Sequence, residues 1–258
     1  MPPGGTRCWV GTSGYNYAEW KGSFYPARIA SAKMLPYYAE RLPTVEINYT
    51  FYRLPTEKLL RGWAALTPPG FRFTLKAPRR ITHDARLQRC EEVTRAFCGA
   101  AAVLEEKLAV LLFQLPPWFR KDLAVLERFI DTLPSGVRAA FEFRHASWHA
   151  ADVFECLTQR RAALCVADSK RLTTPLRVTA PYGYFRLRDD GYDDADIRRW
   201  AESIRTATPA CSDVFVYFKH EDKGKGPALA RLLQEALAAD VPGRERDGGG
   251  LRPVAVET

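Results

Sequence analysis

Apolar residues in this chain gather into short runs separated by stretches of helical period. Eight runs read as strands: Cys8–Thr12, Val45–Thr50, Arg72–Ala77, Ala109–Leu115, Ala139–Arg144, Ala163–Asp168, Tyr182–Leu187 and Val214–Lys219. Most are nearly continuous in apolar character, as expected of parallel strands covered on both faces. Between them the pattern changes to amphipathic helix over Ser31–Arg41, Thr56–Leu66, Cys90–Lys107, Lys121–Thr132, Ala150–Arg160, Asp193–Ala207 and Pro227–Ala239. Repeated alternation of strand and helix predicts an α/β fold. Eight strands in about 250 residues predict a single (β/α)8 TIM-barrel-like domain. One helix is expected to be short or missing after the sixth strand, where Thr173-Thr174-Pro175 reads as a loop. A doubly wound open sheet competes with this arrangement. It usually carries a Gly-rich phosphate turn after the first strand, and Gly11-Thr-Ser-Gly14 does not fit that pattern. No linker interrupts the chain, so one domain is predicted over residues 1–241, with a flexible tail over 242–258.

Composition narrows the class. Hydrophobic residues make up 47% of the 258 residues, which excludes a disordered chain. The longest apolar stretches, such as Leu108 to Phe113, fall far short of the roughly 20 residues that span a bilayer. The opening Met1-Pro-Pro-Gly-Gly has neither a basic start nor an apolar segment, so no signal peptide is expected and the location is read as cytoplasmic. The six cysteines (Cys8, Cys90, Cys98, Cys156, Cys165 and Cys211) form no C-x-x-C pair and read as small buried hydrophobes in a reducing compartment. Thirty-eight basic against 30 acidic residues give a net charge of +8, which suits an anionic partner or simply a basic proteome.

In a barrel, active groups collect where strands end. Those ends are rich in polar side chains here: Glu46 and Asn48 on the second strand, Lys76 on the third, Gln114 on the fourth, Glu142 and Arg144 on the fifth. Asp168 and Ser169 end the sixth, Arg186 the seventh, and Tyr217 and Lys219 the eighth. The two-residue period places Glu46 with Asn48, and Glu142 with Arg144, on common faces. Lys76 invites two readings, a Schiff-base lysine of lowered pKa or a fixed charge for an anion. The surplus of cations over carboxylates favours the anion. Glu46, Glu142, His145 and Asp168 would together offer donors for a divalent metal, which nothing in the sequence demands. A ledge Lys76-Ala-Pro-Arg79-Arg80 lies near His83. A rim of aromatics (Tyr15, Tyr17, Trp20, Phe24, Tyr25, Phe51, Tyr52, Trp118, Phe119 and Trp148) follows several strands, either to stack ligands or to cover the core.

Val10-Gly-Thr-Ser-Gly-Tyr, Glu19-Trp-Lys-Gly-Ser-Phe-Tyr-Pro26, Val45-Glu-Ile-Asn-Tyr-Thr-Phe-Tyr-Arg53 and Phe71-Arg-Phe-Thr-Leu-Lys-Ala-Pro78 resemble the YecE-like family, known as domain of unknown function 72. Leu112-Phe-Gln-Leu-Pro-Pro117, Phe141-Glu-Phe-Arg-His145, Ser147-Trp148 and Cys165-Val-Ala-Asp-Ser169 extend the resemblance, which runs from about Cys8 to Phe218. It implies a TIM-barrel-like fold, similar to that of the apurinic endonuclease and sugar isomerase group, and hence nucleic acid or sugar phosphate substrates. This chain departs from the family pattern at Tyr217-Phe-Lys-His220, where many members have Tyr-Phe-Asn-Asn. It departs again at Arg186-Leu-Arg-Asp189, where many have Arg-Leu-His-Gly. Both departures add cations, Lys219 and Arg188.

These features lead to an enzyme acting on an anionic substrate, a phosphate ester of a nucleotide, nucleic acid or sugar. Glu46 and Glu142 would do acid–base work, one with its pKa raised by burial, and Asp168 would orient a partner or a metal. Asn48, Lys76, Gln114, Arg144, Arg186, Tyr217 and Lys219 would bind substrate. Two alternatives stand beside it. One is a non-catalytic nucleic-acid binder using Arg79, Arg80 and the aromatic rim; the other is an interaction scaffold whose polar mouth is structural.

Overall fold

The computed structural model describes residues 5–168 and 173–239. Eight parallel strands close into a barrel in sequence order: β1 (Arg7–Ser13), β2 (Thr44–Ile47), β3 (Arg72–Lys76), β4 (Leu108–Gln114), β5 (Ala139–Glu142), β6 (Ala163–Asp168), β7 (Tyr182–Leu187) and β8 (Asp213–Phe218). Around them run α1 (Ser31–Ala39), α2 (Tyr49–Tyr52), α3 (Glu57–Ala65), α4 (Glu91–Ala102), α5 (Leu123–Asp131), α6 (Ala151–Gln159), α7 (Asp194–Ala207) and α8 (Lys225–Ala239). The predicted (β/α)8 barrel is therefore the fold. Closure runs from Arg7 opposite Asp213 to Thr12 opposite Phe218.

Local chemistry fixes the helix starts. The Thr56 side chain accepts from the Leu59 amide, and Asp122 from Val125. Asp193 and Asp196 form a reciprocal capping box at α7. Outside the strands, Phe113, Phe129, Phe141 and Trp148 pack between sheet and helices. Inside, Ala140, Cys165, Tyr184, Phe215 and Tyr217 fill the barrel. Position 11 on β1 requires glycine, because a Cβ there would lie 2.0 Å from the Thr44 carbonyl oxygen of β2. At the N-terminal pole the buried Asp213 carboxylate takes the Trp9 indole N–H (2.9 Å) and ion pairs from Arg7 and Arg138 (3.0 Å each).

Several boundaries differ from the sequence reading. The strand expected over Val45–Thr50 stops at Ile47, where pairing with β3 ends, and Asn48 turns the chain into α2. The strand expected over Ala139–Arg144 stops at Glu142. The helix expected over Cys90–Lys107 breaks at Ala102. Lys107 instead reaches back to the carbonyls of Ala64 and Thr67 (2.6 and 2.7 Å), which fixes the entry to β4. After β6, residues 173–181 contain no helix. Ser169 and the tail expected over 242–258 lie outside the described residues. All six cysteines are free; five are buried as expected, whereas Cys8 is exposed. Among the described residues no helix is long and apolar enough to cross a membrane.

Candidate functional site

Inward-facing side chains at the C-terminal ends of the strands build one hydrogen-bonded cluster centred on Arg186. Its guanidinium crosses the barrel from β7 to β2 and β5. One terminal nitrogen donates to Glu46 Oε1 (2.8 Å) and to Ser13 Oγ (3.3 Å), and the other donates to Glu142 Oε2. Glu46 also accepts from Ser13 Oγ (2.5 Å) and Tyr184 Oη (2.6 Å). Gln114 Nε2 donates to Glu142 Oε2 (2.8 Å), and Asn48 Nδ2 donates to Ser13 Oγ (2.9 Å). Asn48 thus meets Glu46 through Ser13, although it lies beyond the end of the strand. Arg186, Glu46 and Glu142 are all at most 2% exposed, so each charge is held by partners rather than water.

This pairing reverses one expectation. Burial alone disfavours ionisation of both carboxylates, but Arg186 between them, with the hydrogen bonds they accept, prevails. Glu46 lies below its ordinary value, and Glu142 is pulled down to about 2. Neither carboxyl is raised, and both stay ionised near neutral pH. Arg186 is likewise committed to carboxylates, and only its Nε lacks a partner among the described residues.

The other expected site residues divide. Asp168 stays apart from the carboxylate pair, its Oδ2 accepting from Tyr192 Oη (2.5 Å). Tyr217 lies in a deeper layer, fully buried, with its hydroxyl against Thr44 Oγ1 and Thr74 Oγ1 (2.8 Å each), where no ligand at the mouth would touch it. Lys76, Arg144 and Lys219 are half-buried above the cluster. With them stands Arg188, one nitrogen of which is 3.8 Å from Glu142 Oε1. Lys219 has one distant partner, Glu221 at 3.8 Å, and Arg144 forms no ion pair among the described residues.

These cations act on one another. Burial, then the charge of Arg186, lowers Lys76 to about 7; Glu142 and Glu46 only partly offset this, and Lys219 adds to it. Lys219 is lowered by burial and then by Arg188 and Arg186. Arg188 is lowered by burial and then by Arg186, with Arg144 contributing. The Lys76 ammonium nitrogen stands 4.2 Å from the centre of the Phe51 ring.

The donor set considered for a divalent metal is not assembled. The Arg186 guanidinium occupies the place between Glu46 and Glu142 that a cation would take, Asp168 is held by Tyr192, and His145 Nδ1 is 2.9 Å from Ser147 Oγ. Among the described residues no group of three or more His, Cys, Asp or Glu is placed to hold a metal. On the basic ledge, Arg79 pairs with Asp84 (3.0 Å), and Arg80 is exposed. The aromatic rim splits: Trp20, Tyr25, Phe119 and Trp148 are buried cover for the core, whereas Tyr52 and Trp118 face solvent.

Three participants escaped the sequence reading: Ser13, Tyr184 and Tyr192. Two carried a usable signal, since Ser13 shares inward parity with Gly11 and Tyr184 precedes Arg186 by two residues. Tyr192 lies in a loop, where no period applies.

The family model described as "Protein of unknown function DUF72" matches residues 9–248. The UPF0759 protein YunF of Bacillus subtilis (strain 168) is 25% identical, over 91% of this chain and 96% of that protein. The UPF0759 protein YecE of Escherichia coli (strain K12) is 32% identical, over 78% of this chain and 72% of that protein. A crystal structure of a DUF72 family protein from Thermotoga maritima MSB8 superposes with a TM-score of 0.81 at 26% identity, covering 90% of this chain and 99% of that one.

Proposed function

The chain belongs to the DUF72 family, and from that premise we propose that its barrel mouth is the active site of an enzyme acting on a small phosphate ester. One observation carries the reading. Four half-buried cationic side chains, Lys76, Arg144, Arg188 and Lys219, converge above a cluster whose two carboxylates are already consumed by Arg186. Lys76, Arg188 and Lys219 are held below their ordinary values by burial and then by neighbouring positive charge, and a bound phosphate would relieve that repulsion and accept their hydrogen bonds. Arg188, Arg144 and Lys219 hold the phosphate in this reading. Lys76, poised at about 7, is the group that exchanges a proton with the substrate. Glu46, Arg186 and Glu142 are positioning residues, a rigid charged floor for the groups above.

Calorimetric titration with inorganic phosphate and ribose 5-phosphate tests this. The wild-type protein is expected to bind both, and Arg188→Ala to weaken both at least tenfold, equal to about 1.4 kcal/mol. Arg188 stands at the barrel mouth and belongs to none of the buried apolar clusters, so the variant keeps its core. No binding by the wild-type protein, or unchanged binding by Arg188→Ala, would overturn the assignment.

A further inference from the structure

Beside the cationic mouth runs a row of four rings to which the phosphate reading gives no task. Tyr52 and Phe51 in α2 stand edge to face, with centroids 5.1 Å apart and planes at 88°. Phe51 meets His83 at 5.0 Å and 80°, and His83 meets Trp118 at 6.1 Å and 78°. The row therefore crosses the loops that follow β2, β3 and β4. Its inner members are partly covered, but its ends are open: Tyr52 is 77% exposed and Trp118 64%. Tyr49 and Leu54 are exposed in the same segment as Tyr52, so apolar surface gathers at this end of the barrel.

The row and the cations are continuous. The Lys76 ammonium lies over the Phe51 ring, and His83 feels the charges of Lys76, Arg144 and Arg79. Burial and then those three cations lower His83 to about 4, so its imidazole is neutral near pH 7. Its Nδ1 is 3.0 Å from Thr82 Oγ1, which fixes the ring between its aromatic neighbours. A neutral ring with one nitrogen engaged offers a hydrogen bond at the other without adding charge.

We propose that the ligand of this mouth is a nucleoside monophosphate unit, its phosphate on Arg144, Arg188 and Lys219 beside Lys76 and its base stacked on one of the two open rings at the ends of the row, Tyr52 or Trp118. The inference rests on the phosphate reading above and narrows it. Sugars also lie on aromatic faces, but they need free polar side chains to take their hydroxyls. Here Glu46, Glu142, Gln114 and Asp168 are all engaged with protein partners. A base asks only for a π-face, and base–aromatic stacking tolerates every base.

The test compares ribose 5-phosphate, adenosine monophosphate and a ten-residue single-stranded oligoadenylate by calorimetry. It uses the wild-type protein and the double variant Tyr52→Ala, Trp118→Ala. Both side chains are exposed, so the variant loses no core packing. Adenosine monophosphate is expected to bind at least tenfold more tightly than ribose 5-phosphate. The double variant should lose that preference while binding ribose 5-phosphate unchanged. Equal affinities in the wild-type protein, or a preference that survives in the double variant, would overturn the nucleotide assignment and leave the phosphate site standing. Failure of ribose 5-phosphate itself to bind would remove both. Oligoadenylate more than tenfold tighter than the mononucleotide, again dependent on Tyr52 and Trp118, identifies a strand residue as the source. Equal or weaker binding identifies the free nucleotide.

Discussion

Lys76 and Arg186 carry the same formal charge within one barrel mouth, yet their surroundings give them opposite behaviour. Arg186 is clamped by two carboxylates and is a permanent cation, whereas Lys76 is desolvated and repelled. The folded-state value of Lys76, about 7, lies below its ordinary 10.5. The unfolded chain therefore holds a proton that the fold lacks between those values, and the Lys76 contribution makes the protein more stable as pH rises through that window. Anion binding runs the other way, since the share of the attracting charge that Lys76 supplies is present only below about pH 7. Sulfate, which does not titrate there, is expected to bind more weakly as pH rises from about 6 to 8. Calorimetry should show that slope flattened, and affinity lowered, in Lys76→Met.

Arg186→Met makes the converse case. It strands Glu46 and Glu142 in the interior without a countercharge, and urea unfolding should show a loss of about 3–5 kcal/mol. Without Arg186 the two carboxyls move above their ordinary values. The deficit relative to wild type should therefore shrink as pH falls through about 5, because protonation then relieves the stranded carboxylates of the variant, whereas the wild-type pair, held below the ordinary range by Arg186, stays ionised and gains nothing. That Glu46, Glu142 and Arg186 face inward was legible from the two-residue period. Their mutual pairing was not, because the partners come from strands 46, 142 and 186 residues along the chain, and the barrel's stagger decides which side chains share a height. The expectation of a raised carboxyl pKa failed for the same reason: burial is readable residue by residue, a cross-barrel partner is not.

At the scale of elements, the β3–α4 connection departs most from regular geometry. A single π-turn spans Arg80–Asp84 and carries His83, and three non-glycine residues beyond it are left-handed: Arg86 (φ 51°), Leu87 (φ 65°) and Arg89 (φ 50°). Such a segment persists only when its surroundings over-determine it. Leu87 is buried and anchors the loop, while Arg89 is exposed. Left-handed backbone costs a side chain about 1–2 kcal/mol, and glycine costs about 0.5–1 kcal/mol in unfolded-state entropy. Arg89→Gly should therefore hold or raise stability by up to about 1 kcal/mol. Arg95→Gly, on the exposed face of α4, should lose about 1 kcal/mol. Urea unfolding of the two variants separates these signs. Nothing in Arg86-Leu-Gln-Arg89 announces this geometry, since glycine, the usual marker of positive φ, is absent. The strands were far more legible, because two-sided burial writes itself as an apolar run. Their ends were misjudged where a polar residue, Asn48 or Arg144, kept the alternation going after the ladder had stopped.

For the whole molecule, alternation of eight strands with helices was enough to specify the barrel, and the structure bears this out in strand order and closure. The seam where the ring closes has a consequence in time. β1 can pair with β2 soon after both are made, but its other edge belongs to β8, and Arg7 and Asp213 are 206 residues apart. At about 5–20 residues per second, a ribosome needs about 10–40 s to supply the missing strand. Throughout that interval the nascent sheet presents a bare edge to its surroundings. Translation speed between the codons for β1 and β8 thus sets how long the unfinished barrel is exposed to wrong partners, and slowing it lengthens that exposure in direct proportion.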